Sequence, residues 1–252
     1  MELKLFILGI IFFAIAMFML FVRKYFKNLF FYKIFKTFYS AIDCLWTSIL
    51  VASFVMFFII QAFKIPSSSM EKTLKIGDYL FVNKFIYGIK IPFVNTEKRY
   101  IVLRNVKRGD IVVFKCPINK SGFKKTDHYV KRCVAVGGDK VEIKNKKLYI
   151  NDVYIEEPYV YYNNSIINNK NFYISDFKYY QKFWESGKFV SIPLDYVLYN
   201  FGPVIIPKNH YMMLGDNRNV SFDSRFWGPL HDKYIEGKAF LIYWPIKNVR
   251  II

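Results

Sequence analysis

The chain has 252 residues, 54% of them hydrophobic, and a formal net charge of +18, which is enough for one medium-sized core plus membrane anchors. Its lysines are scattered through strand-like segments instead of forming basic tracts interleaved with aromatics, and this argues against nucleic acid as the partner of that charge. Three cysteines, Cys44, Cys116 and Cys133, are too few for a disulfide framework and fit no zinc spacing. Cys116 and Cys133 read as buried thiols, because a bridge between them would need neighbouring strands at a suitable separation.

Residues 1–22 are expected to form a first transmembrane segment. Their uncharged run "LFILGIIFFAIAMFMLFV" is long enough to span a bilayer, and it lacks the shorter apolar core and small-residue cleavage site of a secretory leader. Residues 44–63, with "LWTSILVASFVMFFIIQAF", are expected to form a second span. Between them, residues 23–43 carry Arg23, Lys24, Lys27, Lys33 and Lys36, with no acid before Asp43. The positive-inside rule places this loop in the cytoplasm, so residues 64–252 become an extracytoplasmic domain. With the six basic and two acidic residues of 1–63 set aside, that domain carries about +14, a charge suited to anionic headgroups.

The remainder reads as mainly β. "YLFVNKFIYGIKI", "DIVVFKC", "HYVKRCVAV", "DKVEI" and "KLYIN" are short β-branched and aromatic runs divided by Gly, Pro, Asn and Asp. "VGGDKV" predicts a hairpin turn. Residues 151–202, rich in Asn and Tyr, predict an elaboration of long loops or a β-ribbon, and no ten-residue amphipathic helix stands out after residue 70.

Directly after the second apolar segment comes "IPSSSM", three hydroxyls between a proline and a methionine. A Ser-His-Asp triad has only His128, His210 and His231 to draw on, and no G-x-S-x-G elbow is present. Ser69 and Lys72 fit S-x-x-K, the signature of penicillin-binding acyl-serine enzymes, but the S-D-N and K-T-G elements are missing and the segment turns quickly into a strand. A third reading pairs one of Ser67–Ser69 with a distant lysine. In "DHYVKRCVAVGGD", alternation puts Tyr129, Lys131 and Cys133 on one strand face. Burial there would disfavour the charged amine, and a neutral amine can take a proton from serine. The last polar cluster, "YMMLGDNRNVSFDSRFWGPL", offers turn residues together with Arg218, Asp223 and Arg225 as ion-pair partners.

These blocks, with "LKIGDYLFVNKFIYG", "KRGDIVVFKCP", "IPKNHYMMLGDNRNVSFDSRFWGPL" and "GKAFLIYWP" in the same order, closely resemble bacterial type I signal peptidases, the membrane-bound leader peptidases. The resemblance covers most of residues 61–150 and 203–245. It implies a serine endopeptidase that removes N-terminal signal peptides from exported preproteins after small residues (Ala-x-Ala), with Ser69 as nucleophile and Lys131 as general base. Ser67 matches the hydroxyl that assists the oxyanion hole, and Ser221 matches the serine that orients the lysine. Arg132 with Asp216 and Asp223 with Arg225 match supporting ion pairs. Ile65, Pro66, Met70, Leu74 and Tyr129 match positions around the pockets for small side chains.

The resemblance implies no metal and no cofactor. Signal peptides, membrane lipid and a secretion translocon are the implied partners, and the implied location is the bacterial inner membrane, multi-pass, with the catalytic domain outside. Asn219 and Val220 depart from the Asp-Asn found in many relatives, and no cysteine follows Cys133. The rival readings are a penicillin-binding enzyme using Ser69 and Lys72, or a membrane tether without catalysis.

Overall fold

A computed structural model of the chain describes residues 2–23, 29–88, 99–117, 128–162, 175–193 and 196–252. The chain divides into two compact units, residues 1–61 and 62–252.

The first unit is a pair of helices, α1 (Glu2–Arg23) and α2 (Leu29–Phe54). Phe13 and Trp46 meet edge to face at 5.0 Å. Gly9 lets the helices approach closely, since a Cβ there would lie 2.9 Å from Leu50 Cδ2. Among the described residues, one helical stretch, Lys36–Phe54, is long and apolar enough to cross a membrane (mean hydropathy 1.3), and a shorter apolar stretch covers Ile7–Phe18. The second apolar segment, expected to stay helical to residue 63, does not. It passes through a π-helical turn at Val55–Ile59 into strand β1 (Ile60–Lys64). Hydropathy cannot separate these residues from a membrane helix, because an apolar strand satisfies the same window while its backbone bonds to a neighbouring strand.

The second unit is mainly β. In chain order its further strands are β2 (Tyr79–Asn83), β3 (Ile111–Lys115), β4 (His128–Val136), β5 (Lys140–Lys144), β6 (Lys147–Ile150), β7 (Val153–Ile155), β8 (Phe201–Ile205), β9 (His210–Leu214), β10 (Leu230–His231), β11 (Ile235–Trp244) and β12 (Arg250–Ile251). The larger sheet runs β1-β2-β11-β3-β4-β9-β10, with β12 also on β11; the smaller runs β7-β6-β5-β8. The nine-residue β4 is paired on both sides, with Val112 opposite Lys131 and Leu214 opposite Arg132. That double pairing fixes the backbone on which three of the candidate site residues, Tyr129, Lys131 and Arg132, stand.

"VGGDKV" is not a hairpin. The Asp139 N–H does close a turn on the Val136 carbonyl, but β4 and β5 lie in different sheets. The turn carries the chain across: the Gly138 N–H reaches the Ile206 carbonyl, and Asp139 pairs with Arg108. Glycine-rich turn chemistry specifies the reversal of direction and leaves the partner of the next strand open. The true hairpins follow, at Asn145–Lys146 and Asn151–Asp152, all four with positive φ, as two-residue turns between twisted strands demand.

The elaboration also differs from the expected loops or ribbon. It contains a nine-residue helix, α3 (Phe177–Glu185), whose N-cap Asp176 accepts from the Lys178 and Tyr179 N–H groups. Tyr180 and Trp184, one turn apart, are buried in a core cluster with Phe189, Phe201 and Val204. The helix is too short, and its flanks too polar, to stand out by periodicity. Trp184 Nε1 donates to the Ser224 carbonyl at 2.7 Å, tying the helix to the segment that carries the polar cluster.

Candidate active site

Ser69 sits on a 3₁₀ turn, Ser68–Met70, entered from extended Ser67 (φ −134°, ψ 159°). The turn is held from both ends. The Ile65 N–H donates to the Asp78 carbonyl, the Gly77 N–H donates back to Ile65, and the Leu74 N–H bonds the Met70 carbonyl at 2.7 Å. Ile65, Met70 and Leu74 are buried with Leu80, Val82, Ile111 and Ile242, so apolar packing beneath presents the hydroxyls above.

Lys131, 3% exposed, projects from the middle of β4 and brings Nζ to 2.5 Å from Ser69 Oγ. Its Nζ is 5.9 Å from the Tyr129 ring centroid, on the face that strand alternation assigned to both. Burial lowers the Lys131 pKa to about 8; Asp223 and Asp216 pull it back up, and Arg225 adds to the lowering. Ser67 Oγ is 3.4 Å from Ser69 Oγ.

The polar loop, residues 215–225, closes over the pair. Asp216 takes both Arg132 Nε and Nη2, at 2.8 and 2.7 Å, and also the Thr73 hydroxyl. Asp223 takes Arg225 Nε and Nη2 at 2.8 and 3.0 Å and the Gly215 N–H at 3.1 Å. Burial alone would push Asp223 up; the guanidinium and these hydrogen bonds hold it below the usual carboxylate range. It also caps α4 (Ser224–Trp227). The Asn217 N–H donates to the Ser69 carbonyl at 3.1 Å. Gly215 is required by this closeness: a Cβ there would lie 2.2 Å from Ser221 Oγ and 2.6 Å from the Ser69 carbonyl oxygen.

Ser221 is buried in the same place. Among the described residues its hydroxyl makes no well-formed hydrogen bond, to Lys131 or to any other group, although it lies near enough to Asp223 to help keep that carboxylate ionised.

A cleft of about 700 Å³ opens beside Ser69 Oγ and Lys131 Nζ, and its lining includes Ser67, Ser69 and Lys131 together with the expected Ile65, Pro66, Met70 and Tyr129. Leu74 is not part of it; that side chain is in the core below. Phe63, Lys64, His128, Val130, Val220 and Phe222 complete the lining and were not anticipated. Lys72 points elsewhere, donating to the Pro158 carbonyl at 2.8 Å, so the S-x-x-K spacing does not bring an amine to Ser69. His210 and His231 face one another across β9 and β10, 4.7 Å apart. Cys116 and Cys133 are both buried, and no disulfide joins them. The sequence reading also missed Thr73, and it missed the buried ion pair of Arg218 with Glu157 at 2.6 Å, whose acid stands in the Tyr-rich stretch taken for loops.

The arrangement is that of a serine hydroxyl served by a desolvated amine, mounted on a mainly β domain. The family profile of signal peptidases, peptidase S26, matches residues 39–244. The chain belongs to this family. It is 33% identical to signal peptidase I of Pseudomonas aeruginosa, over 75% of this chain and 66% of that protein. It is 33% identical to signal peptidase I of Aquifex aeolicus, over 78% of this chain and 80% of the relative. It is 34% identical to signal peptidase I of Buchnera aphidicola subsp. Baizongia pistaciae, over 77% and 73%. The chain thus spans about two thirds of the length of the Pseudomonas relative.

Proposed function

We propose that this chain is a serine endopeptidase that cuts signal peptides from exported preproteins after small residues. The observation that carries the reading is the buried Lys131 Nζ at 2.5 Å from Ser69 Oγ, beside an open and largely apolar cleft. Neutral Lys131 accepts the Ser69 proton as Oγ attacks the scissile carbonyl. The Ser67 hydroxyl and the Ser69 N–H flank the developing oxyanion, where each donor is worth about 3 kcal/mol. Lys131 then protonates the leaving amine and activates the water that releases the acyl group.

Desolvation makes this chemistry accessible near neutral pH. With its pKa at about 8, roughly one Lys131 in ten is neutral at pH 7, against about one in 10³ for a free lysine. The two bidentate Arg–Asp pairs keep Asp216 and Asp223 from drawing the amine fully into its charged form. Ile65, Pro66, Met70 and Tyr129 give the cleft walls that favour small apolar side chains.

In this reading the two apolar segments anchor the chain in the bacterial inner membrane, with the basic residues of 23–43 on the cytoplasmic side and the β domain outside. The cut is then made where a signal peptide leaves the bilayer, beside membrane lipid and a translocon. The test is cleavage of a preprotein bearing Ala-x-Ala by detergent-solubilised chain. Wild type should release the mature protein and Ser69→Ala should not. Equal cleavage by both would remove Ser69 from the mechanism.

A further inference from the structure

Residues 157–161, between β7 and the rest of the elaboration, run as a strap along the polar loop. Tyr161 forms a parallel bridge with Asn217: its N–H donates to the Asp216 carbonyl at 2.8 Å, and its carbonyl accepts from the Arg218 N–H at 3.0 Å. Asn217, held between those two bonds, is the residue whose own N–H reaches the Ser69 carbonyl. At the other end of the strap, the Glu157 and Arg218 side chains are 6% and 1% exposed and joined at 2.6 Å. The Tyr159 hydroxyl donates to Glu157 at 3.0 Å, and its ring lies 3.8 Å from the Arg132 guanidinium carbon, close enough for a strong cation–π stack. Pro158 holds Lys72. The strap therefore touches both the loop that pins Ser69 and the arginine that neutralises Asp216, without lining the cleft.

We propose that residues 157–161 are a positioning strap for the dyad, with Tyr159 holding the Arg132 guanidinium square on Asp216 and Glu157 anchoring the strap through Arg218. Lys131 is faced by Ser69, by the Tyr129 ring and by Asp216, Asp223 and Arg225. Arg225 is held within the same loop as its acid. Arg132 reaches Asp216 from β4, a different element; its guanidinium also donates to the Gly109 carbonyl and the Thr73 hydroxyl, and the Tyr159 ring packs over it. With the Tyr159 ring gone, Arg132 samples other positions, Asp216 is less well compensated, and its charge draws Lys131 toward the ammonium form.

The strap's role in catalysis rests on the peptidase reading; its effect on Lys131 does not, and the experiment separates the two. The Lys131 ionisation is followed by NMR in full-length, detergent-solubilised chain carrying lysine labelled at Cε, with the resonance assigned by its loss in Lys131→Met. Tyr159→Leu should move the ionisation to higher pH, leaving about tenfold less neutral amine at pH 7, while Tyr159→Phe should titrate like wild type. Preprotein cleavage at pH 7 should fall about tenfold in Tyr159→Leu, in kcat and not in KM, and stay within about twofold in Tyr159→Phe. A shifted ionisation in a chain whose wild type cuts nothing would leave the strap standing and remove the peptidase reading. An active wild type with an unmoved ionisation in folded Tyr159→Leu would do the reverse. Should Tyr159→Leu fail to fold, Glu157→Gln decides: at least about tenfold lower kcat with faster hydrogen exchange at the Tyr161 and Arg218 amides supports the strap, and a wild-type kcat overturns it.

Discussion

The turn that presents Ser69 and the loop that closes over it are built on opposite principles. The turn, residues 65–74, rests on Ile65, Met70 and Leu74 in an apolar core and presents the Ser67 and Ser69 hydroxyls to the cleft beside Ile65, Pro66 and Met70. The loop buries four charges, Asp216, Arg218, Asp223 and Arg225, each at 0–1% exposure. Burying charge costs several kcal/mol per ion and is tolerated when every charge is paired and hydrogen-bonded. Here each has an opposite charge, Asp216 with Arg132, Arg218 with Glu157 and Asp223 with Arg225, while Arg218 Nη1 and Arg225 Nη1 find no hydrogen-bond partner among the described residues. The turn therefore supplies a reagent at little structural cost, and the loop spends stability on a fixed field around an amine. Changes in the turn should alter chemistry and leave the fold; changes in the loop should reach the fold first.

The largest expected effect falls on the base that both regions serve. Lys131→Arg keeps the positive charge but removes the neutral form, since guanidinium does not lose its proton in this range; kcat/KM should drop by about 10⁴ or more. In wild type, kcat/KM should rise with pH about tenfold per pH unit and level off above an ionisation near 8, the value set by burial. A flat profile from pH 6 to 9 would remove Lys131 as the titrating base. Next comes the loop. Asp223→Asn leaves the buried Arg225 without its carboxylate and should cost about 3–5 kcal/mol of stability, read as an earlier urea midpoint. A Ser67→Ala chain should unfold like wild type and lose about 10²–10³ in kcat with KM unchanged. A loss of stability there would break the contrast between the two regions. The smallest effect is Lys72→Ala. Among the described residues that amine donates to one exposed carbonyl, that of Pro158, so cleavage should stay within about twofold and stability within about 0.5 kcal/mol.

Legibility in the sequence divides along the same line. Ser69 and Lys131 could be paired because each stands in a short ordered block and strand alternation puts Lys131 on a face with Tyr129, and the structure brings the two side chains together. The two Arg–Asp pairs came from the resemblance, and the structure forms both. The Glu157–Arg218 pair was not legible: its members are separated by a helix and several turns, and no local period links them. The turn at Gly137–Gly138 was read correctly as a reversal and wrongly as a hairpin, because strand partners are chosen by the whole sheet. The apolar run at 60–63 satisfied a membrane window while serving as a strand. Leu74 looked like a pocket residue by position and is core by packing. In each miss, tertiary pairing overrode a pattern that was locally sound.

The order of the larger sheet has a consequence for when the protein can first act. Strand β11 lies between β2 and β3, with Ala239 opposite Val82 and Lys238 opposite Val112. It separates the strands next to the Ser69 turn from those that carry Lys131, so the two halves of the dyad belong to one sheet only after a late strand has been inserted. On a ribosome adding 5–20 residues per second, that strand follows Ser69 by roughly ten to thirty seconds. Through that interval the nascent chain carries a serine and a lysine whose strands are not yet joined in one sheet. The strand that completes the sheet is therefore also the one that sets the Ser69 turn and the Lys131 strand in a single framework.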